Sequence, residues 1–370
     1  MNEKIYWVGF NLVKGIGAVR LHLLHNYFGG LDRAWEATPE QLRDTGLSSR
    51  LVENIIHVRA SVDLENFYQK VISQGITIIT DQDENYPARL KEIDQPPPVL
   101  YLKGELKPDD FWSVAIVGTR RVTAYGRQIT DELATYLAQN GITVISGLAR
   151  GVDAVAHQSS VHAGGRTLAV LGCGVDRVYP PEHRNLSDQI IQHGALISDY
   201  PPGTPPDGAN FPPRNRIISG LSMAVVVIEA GETSGALITA SFAADQGRDV
   251  FAVPGNILAP QSKGTNHLIQ QGAHPFLSGR DLLDILNLTR VPEQREARRT
   301  IPLDVTEAQI LNTLGTEPLH VDEIRNQTGL AIGNVSAALV MMELKGLVNH
   351  VGGMNYVAVR EERPQYLVEK

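Results

Sequence analysis

The sequence predicts an α/β protein: a mostly parallel sheet covered on both faces by helices, preceded by a helical unit and followed by a small unit of helices and a hairpin. Three observations lead there. Between Gly75 and about Leu288, short and wholly apolar runs alternate with helix-compatible stretches, as strands buried on two faces do. The runs close on glycine or a polar turn, where such strands stop. On either side of this zone, apolar residues recur at helical spacing instead.

Residues 1–72 carry that spacing in VRLHLLHNYF and SSRLVENIIHVRASV, so a helical domain of helix-hairpin-helix or SAM-like type is expected. In KGIGAVR, residues 14–20, two glycines permit a tight turn before a helix. The helix start can offer N–H groups to a phosphate. TPEQLRDTGLSSRLVENI resembles a second copy without the double glycine. Two readings stand for this turn: a DNA-phosphate contact, or a joint within a small helical bundle.

From 73 to 290, the runs ITIIT, VLYL, SVAIVG, TVISG, TLAVLG, AVVVIEA and DVFAVPG read as strands. VPEQREARRTIP, 291–302, is charged and bounded by proline, which reads as a linker. In residues 303–360, TEAQILNTLG, HVDEIRNQTG and AIGNVSAALVMMELKG read as three helices and LVNHVGGMNYVAV as a hairpin. That order resembles a winged helix. Residues 361–370 are read as a tail.

The chain of 370 residues has a net charge of −8, so any nucleic-acid site must be a local patch on an acidic body. Cys173 is the single cysteine; it forms no intramolecular disulfide and no thiolate zinc cage, which fits a reducing compartment. The start, MNEKIYWVGFNLVKGIG, is too polar for a secretory signal. The best apolar run, MAVVVIEA at 223–230, is too short to span a bilayer. A soluble, cytoplasmic protein with no membrane span is expected.

Four turns carry the chemistry. GTRR contributes Gly118, Thr119, Arg120 and Arg121, and SGLARG contributes Ser146, Gly147, Arg150 and Gly151. GCGVDRVYP follows the next strand, and GETSG contributes Gly231, Thr233, Ser234 and Gly235 after Glu229. In a parallel sheet such turns share the carboxyl edge, where ligands bind. Their glycines let backbone N–H groups approach an anion, and the helix starts add positive partial charge. Arg214, Asn215 and Arg216 follow a rigid proline-rich loop, and forked guanidinium groups suit phosphate oxygens. Other roles stand beside these: Thr233 and Ser234 as helix caps, and Arg150 paired with a carboxylate.

Cofactor fingerprints are missing. Arg177 stands where a dinucleotide motif needs its third glycine, and no GxxxxGK[ST] run occurs. No cofactor is expected. Asp153 and His157 are four apart on a helix, but no third ligand has matching spacing, so a core or capping pair is read there and no metal. Ser146 and Ser234 lack the GxSxG setting of a hydrolase nucleophile. No catalytic residue is assigned. Cys173 is expected to be buried.

IVGTRRVTAYG, SGLARGVDAVAH, VLGCGVDRVYP, SDYPPG, FPPRNRIISGLS, EAGETSGALITA and VFAVPG, in that order, resemble the DprA/Smf family of DNA-processing proteins. The resemblance is densest over residues 113–275. It implies an extended Rossmann-like domain that binds single-stranded DNA without sequence preference, usually as a homodimer. It also implies protection of incoming DNA in natural transformation and help in loading the recombinase RecA. Gly118, Thr119 and Arg120 match the family's Gly-Ser/Thr-Arg loop at the DNA pocket. Arg214-Asn215-Arg216 and Ser234-Gly235 match other pocket segments. Thr119 replaces a frequent serine, Val152 a usual isoleucine and Asp199 a frequent glutamate.

A non-specific single-strand binder combines basic groups with flat faces for bases. Tyr179 and Phe211 are the stacking candidates, with loop packing as their other reading. The third helix of the winged-helix unit offers Asn334, Ser336 and only Lys345, while Asp322 and Glu323 sit on the second. A base-reading helix displays more cations, so protein contact or an auxiliary role is expected there. The competing function is a nucleotide phosphoribohydrolase, whose PGGxGTxxE motif is replaced here by EAGETSGALITA. A dinucleotide-dependent oxidoreductase is weakened by Arg177.

Overall fold

Apolar runs that end on glycine fold here as short strands. The computed structural model describes residues 3–288, 305–314, 319–344, 347–351 and 353–358. The expected linker, 291–302, and the tail, 361–370, lie outside the described residues. The chain divides into two compact units, Met1–Pro292 and Glu293–Lys370.

The first unit holds a sheet of nine strands among the described residues, in the order β1-β2-β6-β5-β4-β3-β7-β8-β9. These are β1 (Thr77–Thr80), β2 (Val99–Gly104), β3 (Ser113–Val117), β4 (Thr143–Ser146), β5 (Thr167–Val170), β6 (Gly194–Ser198), β7 (Ala224–Val227), β8 (Asp249–Ala252) and β9 (His274–Pro275). From β6 to β9 all neighbours are parallel. β2 runs antiparallel to both β1 and β6. All seven expected runs are strands, and the α/β class with a mostly parallel sheet is as expected. Two strands were not expected. β6 starts at Gly194, directly after a helix ending at His193, so no turn residues announce it. β9 is a two-residue edge strand, too short for a period to show.

Alternation within the strands covers both faces. Val114 and Ile116 point to one side with Val144, Ala224 and Val226. Ala115 and Val117 point to the other with Ile145, Leu168, Val225 and Val227. The first side is packed by α8 (Ala124–Gln139) and α9 (Val152–His162), through Leu133, Leu137, Val152 and Ala156. The second is packed by α7 (Ala88–Lys91), α11 (Phe211–Leu221) and α12 (Gly235–Asp245), through Leu90, Ile217, Ile218, Leu221, Ala236 and Ala240. The helix Arg184–His193, α10, lies beside β6.

Before the sheet come α1 (Lys4–Asn11), α2 (Ala18–Phe28), α3 (Leu31–Glu36), α4 (Pro39–Asp44), α5 (Ser49–Ser61) and α6 (Leu64–Ser73). Their core is continuous with the sheet: Trp7, Phe10, Leu21 and Leu24 cluster with Ile78, Tyr101 and Leu196. Polar ties reinforce the join. Tyr101 donates its hydroxyl to Asn11 Oδ1 at 2.9 Å, and His22 Nε2 meets Asp81 Oδ2 at 2.5 Å. In the KGIG turn, Gly15 has φ +95°, a left-handed conformation that glycine adopts without strain. Arg20 there donates to Gly15 O at 2.7 Å.

The second unit has helices Val305–Thr313, Val321–Thr328 and Ile332–Leu344, and a three-stranded sheet of Leu319–His320, Asn355–Ala358 and Val348–His350 in that order. Ile310, Leu314, Val321, Ile324, Val335, Leu339, Met342 and Val348 form its core. This is the expected winged helix. The exposed part of its third helix carries Asn334, Val340, Met341 and Glu343, so uncharged groups and a carboxylate stand where a base-reading helix has cations. Lys345 lies outside the described residues.

Candidate functional site

In the strand order β5-β4-β3-β7, the chain steps from β3 to β4 on one side and later returns from β6 to β7 on the other, and that reversal opens a crevice at the carboxyl edge. A groove of about 740 Å³ lies there. Of the expected residues, Gly118, Thr119, Arg120, Arg121, Tyr179, Phe211, Arg214, Asn215, Ser234 and Gly235 line it. Ser146, Gly147, Arg150, Gly151 and Arg216 do not.

The turn after β3 is held from below. Thr119 N–H donates to Glu229 O at 2.7 Å, and Thr119 Oγ1 accepts from Arg121 N–H at 3.2 Å. Thr123 caps α8 by accepting from Gly126 N–H at 3.1 Å. Its own N–H and hydroxyl donate to the buried Glu229 carboxylate, at 2.9 and 2.5 Å. Glu229 ends the β7 side of the crevice, so this carboxylate ties the two lips of the groove together. A side chain at Gly118 would run into Val152 and Glu229 O. The lip therefore needs glycine for packing.

Arg120 and Arg121 are exposed at that lip, outside the ion pairs found among the described residues. Arg120 stands 5.7 Å from the Phe211 ring centre, within cation–π range. Tyr179 stacks beside Phe211 at 5.8 Å with an interplanar angle of 26°, and is 41% exposed. The two aromatic residues, distant in sequence, thus form one flat, partly open platform next to a free guanidinium. Gly172 makes this possible, because a Cβ there would press on the Phe211 ring at 2.7 Å. On the opposite lip, Ser234 caps α12 by accepting from Ala236 N–H at 3.4 Å. Asn215 donates to Gly235 O at 3.3 Å.

The other arginines have partners. Arg214 is only 5% exposed. Its Nη1 donates to Gly147 O at 3.0 Å and also to Val170 O, bridging the ends of β4 and β5. Burial disfavours both charges here: it lowers the Arg214 pKa and raises that of Asp153, and each group opposes the shift in the other. Arg214 is thus a clamp beneath the groove, with little surface for a ligand. Gly147 makes room for it, since a Cβ there would lie 2.7 Å from Arg214 Nη2. Ser146 is buried and donates to Ile116 O at 2.6 Å. Arg216 pairs with Asp199 at 3.0 Å and donates to Gln95 O, away from the groove. Arg150 pairs with Glu182 at 2.5 Å, the alternative its sequence left open. Gly151, with φ +77°, packs so tightly on Thr119 and Arg120 that a side chain has no room. Cys173 is buried, and burial pushes its thiol up to about 11.

Asp153 and His157 go to different partners. Asp153 Oδ2 accepts from Gly147 and Ala149 N–H, each at 3.2 Å. Thr167 Oγ1 donates to Val144 O at 2.8 Å, so the contact of 2.7 Å with His157 must use the imidazole Nδ1–H as donor. His157 Nε2 is then a buried acceptor without a hydrogen bond. Burial, with His183 and Arg214 nearby, holds the pKa of His157 down to about 3, against 6.5 ordinarily. A neutral imidazole is thus enforced by the fold. Its contribution to stability is complete above about pH 6.5 and falls as pH drops toward the folded value, by up to about 1.4 kcal/mol per unit. His157→Asn retains an N–H toward Thr167 and cannot titrate. In urea unfolding it should lose less stability than the wild type between about pH 6.5 and 5; equal losses would refute this account.

A family model for DNA recombination-mediator protein A matches residues 77–287, and one for the DprA winged helix domain matches residues 294–354. Protein Smf of Synechocystis is 38% identical over 96% of this chain and 98% of its own length. DNA processing protein DprA of Bacillus subtilis is 40% identical over 68% of this chain and 88% of its own. The X-ray structure of DNA processing protein A from Streptococcus pneumoniae superimposes with a TM-score of 0.66 at 34% identity, covering 76% of this chain and 97% of that one. A Helicobacter pylori DNA processing protein A structure, described for its single-stranded DNA binding mode, matches at TM-score 0.52 and 31% identity, over 57% and 95% of the two chains.

Proposed function

This chain belongs to the DNA recombination-mediator protein A (DprA/Smf) family of DNA-processing proteins, and from that premise we propose that its groove binds single-stranded DNA without sequence preference. The observation that carries the reading is the platform of Tyr179 and Phe211 with Arg120 over it. Flat faces stack any base, and an unpaired guanidinium beside them meets the phosphates, with no base edge read. The platform is partly open to solvent at Tyr179, and the turns lack a dinucleotide fingerprint, which favours a polymer over an enclosed cofactor.

The role is that of a non-catalytic adaptor, one that shields incoming DNA and helps load RecA in recombination. Two buried acids beside the glycine-rich turns support this, since Thr123 engages both oxygens of Glu229 and the Gly147 and Ala149 N–H groups hold Asp153. A homodimer is the expected assembly. Ile257 and Leu258, 78% and 82% exposed, and Leu277 give the first unit an apolar surface suited to a second copy. Among the described residues, no helix is long and apolar enough to cross a membrane.

Fluorescence anisotropy with single- and double-stranded oligonucleotides across a salt series tests the proposal. The wild type should prefer single strands, with affinity falling steeply with salt. Arg120→Ala should weaken binding alike for all sequences and flatten the salt slope by about 0.7 for one lost phosphate contact. Equal binding of single strands and duplex would refute the reading.

A further inference from the structure

The second depression in the first unit, about 450 Å³ between α9 and α10, has no part in the groove just described. Its charged lining comes from separate elements: Arg127 on α8, Arg150 before α9, His162 at the end of α9, and Glu182 with His183 before α10. Gln158, Asn185 and Gln189 add amide donors and acceptors. The two grooves adjoin, since Ala149 and Asp153 line the first and their chain neighbours Arg150 and Ala154 line the second. Gly151 lines the second and packs on the backbone of Thr119 and Arg120, which line the first. Tyr179 of the first groove lies three residues before Glu182 of the second. The two sites thus abut along the carboxyl edge.

The geometry points to this second groove as the continuation of the DNA path, taking the phosphates of the same strand after it leaves the Tyr179–Phe211 platform. The inference rests on the single-strand reading of the first groove. Its lining suits a chain better than one small anion. At the start of α9, Val152 N–H already donates to Thr119 O at 3.2 Å and Ala154 N–H to Ala149 O at 3.1 Å. His183 Nδ1–H is likewise held, donating to Leu148 O at 3.0 Å. What remains are the ends of long side chains, Arg127 and Arg150, which can follow a backbone. Arg127 is exposed and outside the ion pairs found among the described residues. Arg150 is held by Glu182, with both side chains exposed. A pair so exposed is weak, so a phosphate can take the place of the carboxylate. Glu182 then acts as a built-in competitor that sets how strongly this groove holds the strand.

The test compares oligothymidylates of about 5 and about 20 nucleotides, bracketing the usual span of a single-strand site, on the full-length protein. The double variant Arg127→Ala/Arg150→Ala should weaken the long strand roughly three- to tenfold and leave the short one unchanged. Glu182→Gln should do the reverse, tightening the long strand with no change for the short. All three positions are exposed, and a thermal melt confirms that each variant is folded. Equal losses at both lengths, no loss at either, or a Glu182→Gln protein that binds the long strand no better would overturn the inference. Weakened duplex binding with single strands unaffected would also overturn it, by assigning the groove to duplex. Should the wild type itself show no preference for single strands, the reading of the first groove fails instead.

Discussion

Arg214→Ala should destabilise the protein by about 3–5 kcal/mol, the usual cost of stripping a buried charge of its partner. Arg214 joins the carbonyls of Gly147 and Val170 at the ends of two adjacent strands. Arg214 Nη2 and Asp153 Oδ2 both lie against Gly147, and Asp153 is buried with it. Without the guanidinium, two carbonyls lose a donor and a carboxylate loses its countercharge. Arg214→Lys should rescue little, because a single ammonium cannot reproduce the planar fork. Urea denaturation is the measurement. A loss below about 1 kcal/mol would place Arg214 among ordinary surface cations and return it to the list of direct DNA contacts. Any loss of DNA binding in Arg214→Ala is therefore expected to follow loss of structure.

Phe211→Ala is expected to have the largest effect on DNA binding by a correctly folded protein. Removing a stacking face costs about 1–3 kcal/mol per base, roughly five- to 150-fold in Kd. Phe211 also holds Tyr179 and lies under Arg120, so its loss disperses the whole platform. Phe211→Leu separates stacking from packing, since leucine fills much of the space without a flat face. Both variants should bind poorly in anisotropy titrations while melting near the wild type. Wild-type affinity in Phe211→Leu would show that Phe211 serves only to pack the loop.

Much of the fold was legible because short apolar strands ending on glycine leave a local mark. β6 left none: Gly194 continues from a helix with no turn between them. The convergence of the GTRR, SGLARG, GCGVDR and GETSG turns was also legible, since parallel strands carry their following turns to one edge. Individual roles at that edge were not. Glycines that the sequence places for anion approach act in packing: Gly118 accommodates Val152, Gly147 accommodates Arg214 and Gly172 accommodates Phe211. Glu229 and Thr123, which join the lips of the groove, are 106 residues apart, and no local pattern connects them.

The sequence by itself determined the class of fold, the edge that carries the site and the kinds of side chain gathered there. Those follow from strand period, glycine placement and composition, which are properties of neighbours along the chain. Which cations remain available was decided by tertiary structure alone. Arg120 and Arg150 on turns and Arg214 and Arg216 in α11 carry the same group, yet Glu182, 32 residues away, holds Arg150, and Asp199, 17 residues away, holds Arg216. Arg214 is buried against Asp153, and of the arginines among the described residues that line the groove, Arg120 and its neighbour Arg121 stay open. An arginine's charge is set by its chemistry, but its availability depends on which carboxylate the fold places within reach, and that is a long-range property of the packed chain.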